Sequence, residues 1–144
     1  VTGITIPRFV TLKARDANVR SGPGPSYPLK LNYKCKGYPL QIISEFENWR
    51  KIRDYNSNEG WIHESLLSSA TNVIVIKNVI DFDYIAKNET LIFRMPSVKS
   101  RPLARIEIGA VVHLQKCIDD WCRIAIGRYR SGWIKRDCLW GVNG

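Results

Sequence analysis

One stretch of this chain occurs twice, and the repeat limits the folds that the sequence can adopt. The repeated residues are Gly37, Trp49, Ile52, Gly60, Trp61, Ile62 and Leu67, which return 72 positions later as Gly109, Trp121, Ile124, Gly132, Trp133, Ile134 and Leu139. Further upstream, Val19-Arg20 aligns with Phe93-Arg94 at a spacing of 74. Identities at a nearly fixed spacing indicate a duplicated structural unit. We therefore expect two small domains, residues 8–68 and 73–142, joined near a polar stretch.

Each copy has the pattern of β-strands. Residues 49–54 alternate between two faces, and polar turns are predicted at residues 45–48 and 55–60. The second copy repeats this arrangement, with turns at residues 118–120 and 127–131. No window sustains a helical period, although residues 65–67 are expected to close one 3-10 turn. The pattern predicts an all-β fold with a small barrel or sandwich in each unit.

The chain is basic and has enough apolar residues for a core. It contains 144 residues, 44% of them hydrophobic, and has a formal net charge of +9. This charge favours an anionic partner but does not select among nucleic acid, an acidic envelope polymer and a membrane surface. No apolar run is long enough to span a bilayer. Because the sequence does not begin with Met, we expect that a signal peptide has been removed or that the chain has been trimmed.

Residues 17–28 have the sequence Ala-Asn-Val-Arg-Ser-Gly-Pro-Gly-Pro-Ser-Tyr-Pro, followed by Gly37, Trp49 and Gly60-Trp61-Ile62. This series resembles the bacterial SH3 domain (SH3b). The resemblance implies that the fold is two tandem small SH3-like β-barrels. The second copy keeps the later glycines and tryptophans but lacks the Gly-Pro-Gly element, so it is a divergent SH3-like domain.

The paired units are similar to the exported tandem SH3-like proteins of alphaproteobacteria. The similarity rests on Trp121-Cys122-Arg123 and Leu139-Trp140-Gly141-Val142, together with residues 9–14, 47–54 and 60–68. It implies a periplasmic or secreted protein whose signal peptide has been removed. It also implies no enzymatic activity.

The four cysteines are candidates for disulfide bonds. Cys117 and Cys122 flank a short predicted turn, and in an antiparallel hairpin they lie opposite each other. Cys35 and Cys138 form a second candidate pair that would link the two units, and buried free thiols are the alternative. An even number of cysteines fits an oxidising compartment. Their spacing does not match a zinc site, so we predict no metal.

Candidate catalytic groups are few. His63 is expected to hydrogen-bond the 3-10 turn, and His113 lies in an alternating strand. Asp119-Asp120 lies in a predicted turn, and Asp81/Asp83 share one strand face without a partner acid. The sequence has no phosphate-binding loop motif. We predict no enzyme activity and no cofactor.

Aromatic side chains are the best candidates for a binding surface. The tryptophans recur in both copies, which favours core packing for at least one per unit; the alternative is that one lines a groove. Four tyrosines are predicted in loops around the first barrel, where they suit a peptide groove, with capping of the barrel ends by Tyr27 and Tyr38 as the alternative. The candidate ligand-binding residues are Tyr27, Tyr33, Tyr38, Tyr55, Trp49 and Trp61. The second unit lacks a counterpart of Tyr27, so the first is expected to be the better binder.

Three functional hypotheses follow. The first, implied by the resemblance, is a non-catalytic envelope module that binds peptide, either the stem peptide of peptidoglycan or a protein partner. The second is a basic nucleic-acid-binding protein. The dispersal of Lys and Arg along the chain counts against this hypothesis. The third is a rigid structural or assembly protein without a small ligand.

Overall fold

β-strands dominate the computed structural model of the chain, which describes residues 3–78 and 88–144. The all-β prediction is confirmed. The predicted acidic pair Asp81/Asp83 lies outside the described residues. The chain divides into two compact units, Val1–Thr71 with Asn143–Gly144, and Asn72–Val142.

The two units contain the same series of elements. The first consists of β1 (Arg8–Leu12), β2 (Ala17–Arg20), β3 (Leu29–Tyr33), β4 (Pro39–Phe46), β5 (Trp49–Arg53), β6 (Glu59–His63), a 3-10 turn (Glu64–Leu66) and β7 (Leu67–Ser68). The second consists of β8 (Asn72–Val75), β9 (Glu89–Phe93), β10 (Pro102–Glu107), β11 (Val111–Ile118), β12 (Trp121–Ala125), β13 (Ser131–Lys135), a 3-10 turn (Arg136–Cys138) and β14 (Leu139–Trp140). The first 3-10 turn begins one residue before the predicted one.

Strand order is also the same in both units. The first sheet runs β3-β2-β6-β5-β4-β1-β7 and the second runs β10-β9-β13-β12-β11-β8-β14. The paired strands are antiparallel, and consecutive strands from β4 to β6 and from β11 to β13 form hairpins. The sequence repeat is therefore a repeat of topology, with one sheet in each unit.

Alternation along the strands builds a separate core in each unit. In β6, Gly60 and Ile62 are buried, while Glu59, Trp61 and His63, which alternate with them, are half-buried. A Cβ on Gly60 would overlap Val19, so glycine is required where β6 pairs with β2. The first core contains Val10, Leu12, Ala17, Val19, Leu40, Ile42, Ile52 and Ile62. The second contains Val73, Val75, Ile92, Cys122, Ile124, Ile134, Cys138 and Leu139.

The hairpin turns are tighter than the sequence predicted. Strand β4 continues to Phe46, so that only Glu47 and Asn48 connect it to β5. Strand β11 likewise continues to Ile118 before the turn at Asp119-Asp120. The first residue of each turn has a positive φ, 50° at Glu47 and 51° at Asp119. Two-residue connections of this kind suit the right-handed twist of paired strands.

Two sequence-based expectations need correction. The tryptophans at positions 49, 61, 121 and 133 are half-buried on outer faces rather than part of either core, because the residues alternating with them point inward. The upstream alignment was also shifted by one residue. Arg20 pairs with Trp61 and Phe93 pairs with Trp133, so Arg20 corresponds to Phe93.

Candidate ligand-binding site

A row of side chains crosses the outer face of the first sheet. Strand register places Arg20 directly opposite both Leu29 and Trp61, and places Trp61 opposite Lys51. Directly opposed residues project from the same face of a sheet, so these four side chains are neighbours. Leu29 is 60% exposed, and the Lys51 side chain is 37% exposed.

Tyr27 lies at one end of this row, on the loop of residues 21–28. The Arg20 side chain donates a hydrogen bond from Nη1 to the Tyr27 carbonyl oxygen at 3.0 Å. The Tyr27 ring lies against Gly22, where any Cβ would overlap it, and yet the residue is 46% exposed. The absence of a side chain at Gly22 thus lets the exposed Tyr27 ring pack beside Arg20, Leu29, Trp61 and Lys51. We call Tyr27, Leu29, Arg20, Trp61 and Lys51 the binding strip.

Trp49 shares this face at the hairpin end of β5. It lies opposite His63, and the two rings meet edge to face with their centroids 5.4 Å apart. His63 Nδ1 accepts a hydrogen bond from the Ser65 backbone N–H at 3.2 Å. The predicted role of His63 in holding the 3-10 turn is confirmed.

Acidic groups offset part of the positive charge beside the strip. Glu59 accepts a hydrogen bond from Arg53 at 2.8 Å and lies 3.7 Å from the Lys51 ammonium. The hydrogen bond from Arg53 lowers the pKa of the Glu59 carboxyl. Glu59 therefore remains ionised and pairs mainly with Arg53, which leaves Arg20 and Lys51 as the cations on either side of Trp61.

Tyr33 and Tyr38 occupy a different part of the domain. Their rings stack with centroids 6.0 Å apart, and both pack against the first core. The Tyr33 hydroxyl donates to the buried carboxylate of Asp54 at 2.8 Å. Burial, followed by this hydrogen bond, raises the pKa of Tyr33 above its usual range. Both rings therefore pack on the first core, Tyr33 at the end of β3 rather than in the predicted loop, while Tyr55 lies on the β5–β6 turn with 43% of its surface exposed.

The corresponding face of the second domain is filled. Phe93 occupies the position of Arg20 and is 1% exposed, with its ring edge to face with Trp121 at 5.8 Å. The Lys116 ammonium lies 5.9 Å from the centroid of the Trp133 ring. On the adjacent loop Ser100 replaces Tyr27, and its hydroxyl donates to the Ser97 carbonyl oxygen at 2.7 Å. The second domain therefore has no open counterpart of the binding strip among its described residues.

The cysteines form one of the two predicted bridges. Cys117 and Cys122 lie directly opposite each other in the β11–β12 hairpin and are joined by a disulfide. The predicted pairing of Cys35 with Cys138 is wrong, because both are free thiols, Cys35 exposed and Cys138 buried in the second core. Burial, with a smaller contribution from Asp137, raises the pKa of Cys138 to about 11.

Sequence reasoning missed the charged half of the binding strip. It selected aromatic residues, whereas Arg20, Leu29 and Lys51 join Trp61 only through strand register. The signal was present in the alternation of β5 and β6, but its use requires the pairing of strands far apart in sequence. Among the described residues, no group of three His, Cys, Asp or Glu side chains is placed to hold a metal ion.

The family model for the bacterial SH3 domain matches residues 13–69 and 86–141. The chain belongs to the bacterial SH3 domain family. It carries two such domains in tandem, and bacterial SH3 domains are typically non-catalytic binding modules. No curated protein matches the chain. None of the described helical segments has the length and hydrophobicity needed to cross a membrane.

Three solved structures resemble the tandem SH3 chain at low identity. NlpC1 from Trichomonas vaginalis is 15% identical with a TM-score of 0.37, covering 96% of this chain and 47% of its own. NlpC2 from the same organism is 16% identical with a TM-score of 0.38, covering 99% and 52%. An NlpC/P60 family protein from Bacillus cereus ATCC 10987 is 12% identical with a TM-score of 0.37, covering 92% and 55%. The tandem SH3 chain thus spans about half the length of these proteins.

Proposed function

We propose that the first SH3 domain binds an extended peptide carrying an acidic group, either the stem peptide of peptidoglycan or a segment of an envelope protein. The observation that carries this proposal is the contrast between the two outer faces, where Arg20 stands beside Trp61 but Phe93 is buried beside Trp133. Two cations flank an indole, and exposed apolar side chains extend the row. Such a surface suits an extended chain with a carboxylate.

We propose that the protein acts outside the cytoplasm, in the periplasm or after secretion, and without catalysis. The disulfide supports this location, since such bonds persist in oxidising compartments. The family supports a binding role. In this setting the positive net charge of +9 favours encounter with an acidic cell-wall polymer.

Co-sedimentation with purified peptidoglycan sacculi tests the proposal, using two tryptophan variants at equivalent positions. We expect Trp61→Ala to lower the affinity about 10-fold or more, because an aromatic anchor at the centre of an interface contributes most of the binding energy. Trp133→Ala serves as the matched control and should retain the wild-type affinity. Thermal unfolding of both variants checks that each remains folded. Equal losses in the two variants would exclude the binding strip as the site.

Charge variants separate peptide binding from the other hypotheses. Arg20→Gln should weaken binding to sacculi, and raising the salt concentration should reproduce part of that loss. Wild-type protein that stays entirely in the supernatant would count against the cell-wall ligand. In that case labelled single-stranded DNA at about 50 mM salt becomes the deciding probe, since electrostatic binding to nucleic acid is strong there. A shift that Arg20→Gln abolishes would favour the nucleic-acid hypothesis.

A further inference from the structure

A charged cavity of about 370 Å³ lies in the second domain, at the end of strand β13. It is lined by Asp120, Lys135, Arg136 and Asp137. Asp120 comes from the β11–β12 turn, and the other three residues come from the end of β13 and the 3-10 turn that follows it. The Arg136 backbone N–H donates to the Asp120 carbonyl oxygen at 2.7 Å, which fixes the two segments to each other. Two acids and two bases therefore surround one cavity.

The charges around this cavity do not neutralise one another in pairs. Within the described residues, the ion pair that involves this lining joins Asp137 to Lys77 at 3.6 Å, and the Asp137 side chain is 68% exposed. Arg136 Nε is buried and has no hydrogen-bond partner among the described atoms. A buried donor without a partner is rare in folded proteins and calls for a group that satisfies it.

In the first domain, the residue equivalent to Arg136 forms an ion pair within the domain. Glu64 corresponds to Arg136, because its backbone N–H donates to Asn48 at the equivalent turn. There the Arg50 guanidinium binds the Glu64 carboxylate at 2.8 Å. In the second domain the residue at the position of Arg50 is Cys122, whose sulfur is committed to a disulfide. The acidic Glu64 of the first domain is therefore replaced by the basic Arg136, and its partner Arg50 is replaced by the uncharged Cys122.

We infer that the charged cavity binds a small zwitterion, such as a free amino acid or a short peptide with uncapped ends. The carboxylate of the ligand would accept hydrogen bonds from Lys135 and Arg136, and its ammonium group would face Asp120 and Asp137. The volume falls within the range of small-molecule sites, roughly 300–1,000 Å³. Charge-assisted hydrogen bonds are the stronger kind, and a zwitterion uses both signs of charge in the lining. This site lies in the other domain from the binding strip, so the inference does not depend on the proposed function.

Three dipeptide probes test the inference: alanyl-alanine, its N-acetyl derivative and its C-terminal amide. Titration of the full chain is followed by NMR shifts of the backbone amides of residues 120 and 135–137. Free alanyl-alanine should shift these amides, and each capped probe should bind about 10-fold more weakly, because capping removes one charge-assisted contact. Capped probes that bind as well as the free dipeptide would overturn the inference. So would shifts confined to the binding strip, or no shift at the cavity with any probe.

Matched variants assign the contacts. Arg136→Gln should lose most of the affinity for alanyl-alanine but little of its weak affinity for the amide, which has no carboxylate to lose. Asp120→Asn should show the reverse pattern, weakening the free dipeptide but not the N-acetyl probe. Arg128→Gln removes an exposed cation from the β12–β13 turn, at the other end of β13 from the cavity, and should bind like wild type. If Arg128→Gln weakens binding as much as Arg136→Gln, the attraction is general electrostatics and the cavity is not the site.

Discussion

The two domains close the same hairpin end by different chemistry. In the first, Glu45 and Arg50 lie directly opposite each other, and the Arg50 side chain is only 5% exposed. Its guanidinium donates to the carbonyl oxygens of Glu47 and Trp49 at 2.7 and 3.0 Å. In the second, the corresponding pair is Cys117 and Cys122, joined by a disulfide. One duplicated position is thus occupied by an ion network in one copy and by a covalent bond in the other.

This difference shows that the same hairpin position can be stabilised either by a buried ion pair or by a disulfide. A buried charge needs every partner that surrounds it, so the first hairpin depends on several residues at once. A disulfide depends on two atoms and on the redox state of the surroundings. The two copies should therefore lose stability under different treatments, although their topology is the same.

The largest loss of domain stability is expected for Arg50→Met. The change removes one of the cations that face the Glu45 carboxylate, whose side chain is 6% exposed, and it removes the donor to two turn carbonyls. Breaking a buried pair costs roughly 3 kcal/mol or more. Urea unfolding followed by NMR signals of each domain should show this loss in the first domain only. Lys51→Met, which removes an exposed partner of Glu59, serves as the control and should have a much smaller effect.

Reduction of the disulfide should have the next largest effect, and in the other domain. The cross-link joins residues five apart, and opening so short a loop costs about 2 kcal/mol in the chain-entropy model. The same domain-resolved unfolding, repeated with a thiol reductant, should show the loss for the second domain and none for the first. A parallel loss in both domains would mean that their stabilities are coupled, which would break the comparison.

A smaller effect is expected for Ser100→Ala in the second domain. Its hydroxyl donates to the Ser97 carbonyl oxygen at 2.7 Å and accepts from the Met95 N–H at 3.2 Å. The loss should be about 1 kcal/mol, the usual net contribution of a hydrogen bond. Tyr27→Ala, at the equivalent position of the first domain, removes the ring that packs on Gly22. Unlike Ser100→Ala, it should also weaken binding to sacculi. If Ser100→Ala also changed binding, both loops would belong to ligand sites.

Thiol labelling is expected to change the stability of the protein least, and it distinguishes the two free cysteines by their reactivity. In the native protein at neutral pH, Cys35 is exposed and should react with an alkylating reagent at once. Cys138 should stay protected, because it is buried and its pKa, raised to about 11, keeps the thiol protonated. Mass spectrometry should find one added label in native protein and two after unfolding without reductant. Two labels in native protein would contradict the burial of Cys138.

Much of the fold was readable from the repeat, because identities such as Gly60 and Gly132 recur where a side chain would overlap its neighbour. Alternation alone did not reveal which face of β5 points inward. It put Arg50 on the same face as Ile52, and a charged residue argues against burial unless its partners are known. Those partners come from a turn, a neighbouring strand and a 3-10 segment, which only the folded chain brings together.

The candidate site was predicted in part. Tyr27 and Trp61 stood out as aromatic residues, whereas the charged members of the binding strip are ordinary surface residues until strand register places them beside Trp61. The loop of residues 94–101 lacks the Gly-Pro-Gly element of the first domain. Its backbone nevertheless closes like the first loop, with Ser97 N–H donating to Met95 at 2.7 Å as Gly24 N–H donates to Gly22 at 2.9 Å.

The position of the single disulfide has a consequence for how the chain becomes oxidised. A single disulfide among four cysteines can form in six ways, of which one is native. Cys117 and Cys122 are five residues apart, so in the unfolded chain each meets the other more often than it meets Cys138, the next nearest thiol, or the distant Cys35. Chain proximity therefore favours the native bond before any barrel has formed. The bond that forms most readily when the unfolded chain is oxidised is thus also the one that the folded second domain contains.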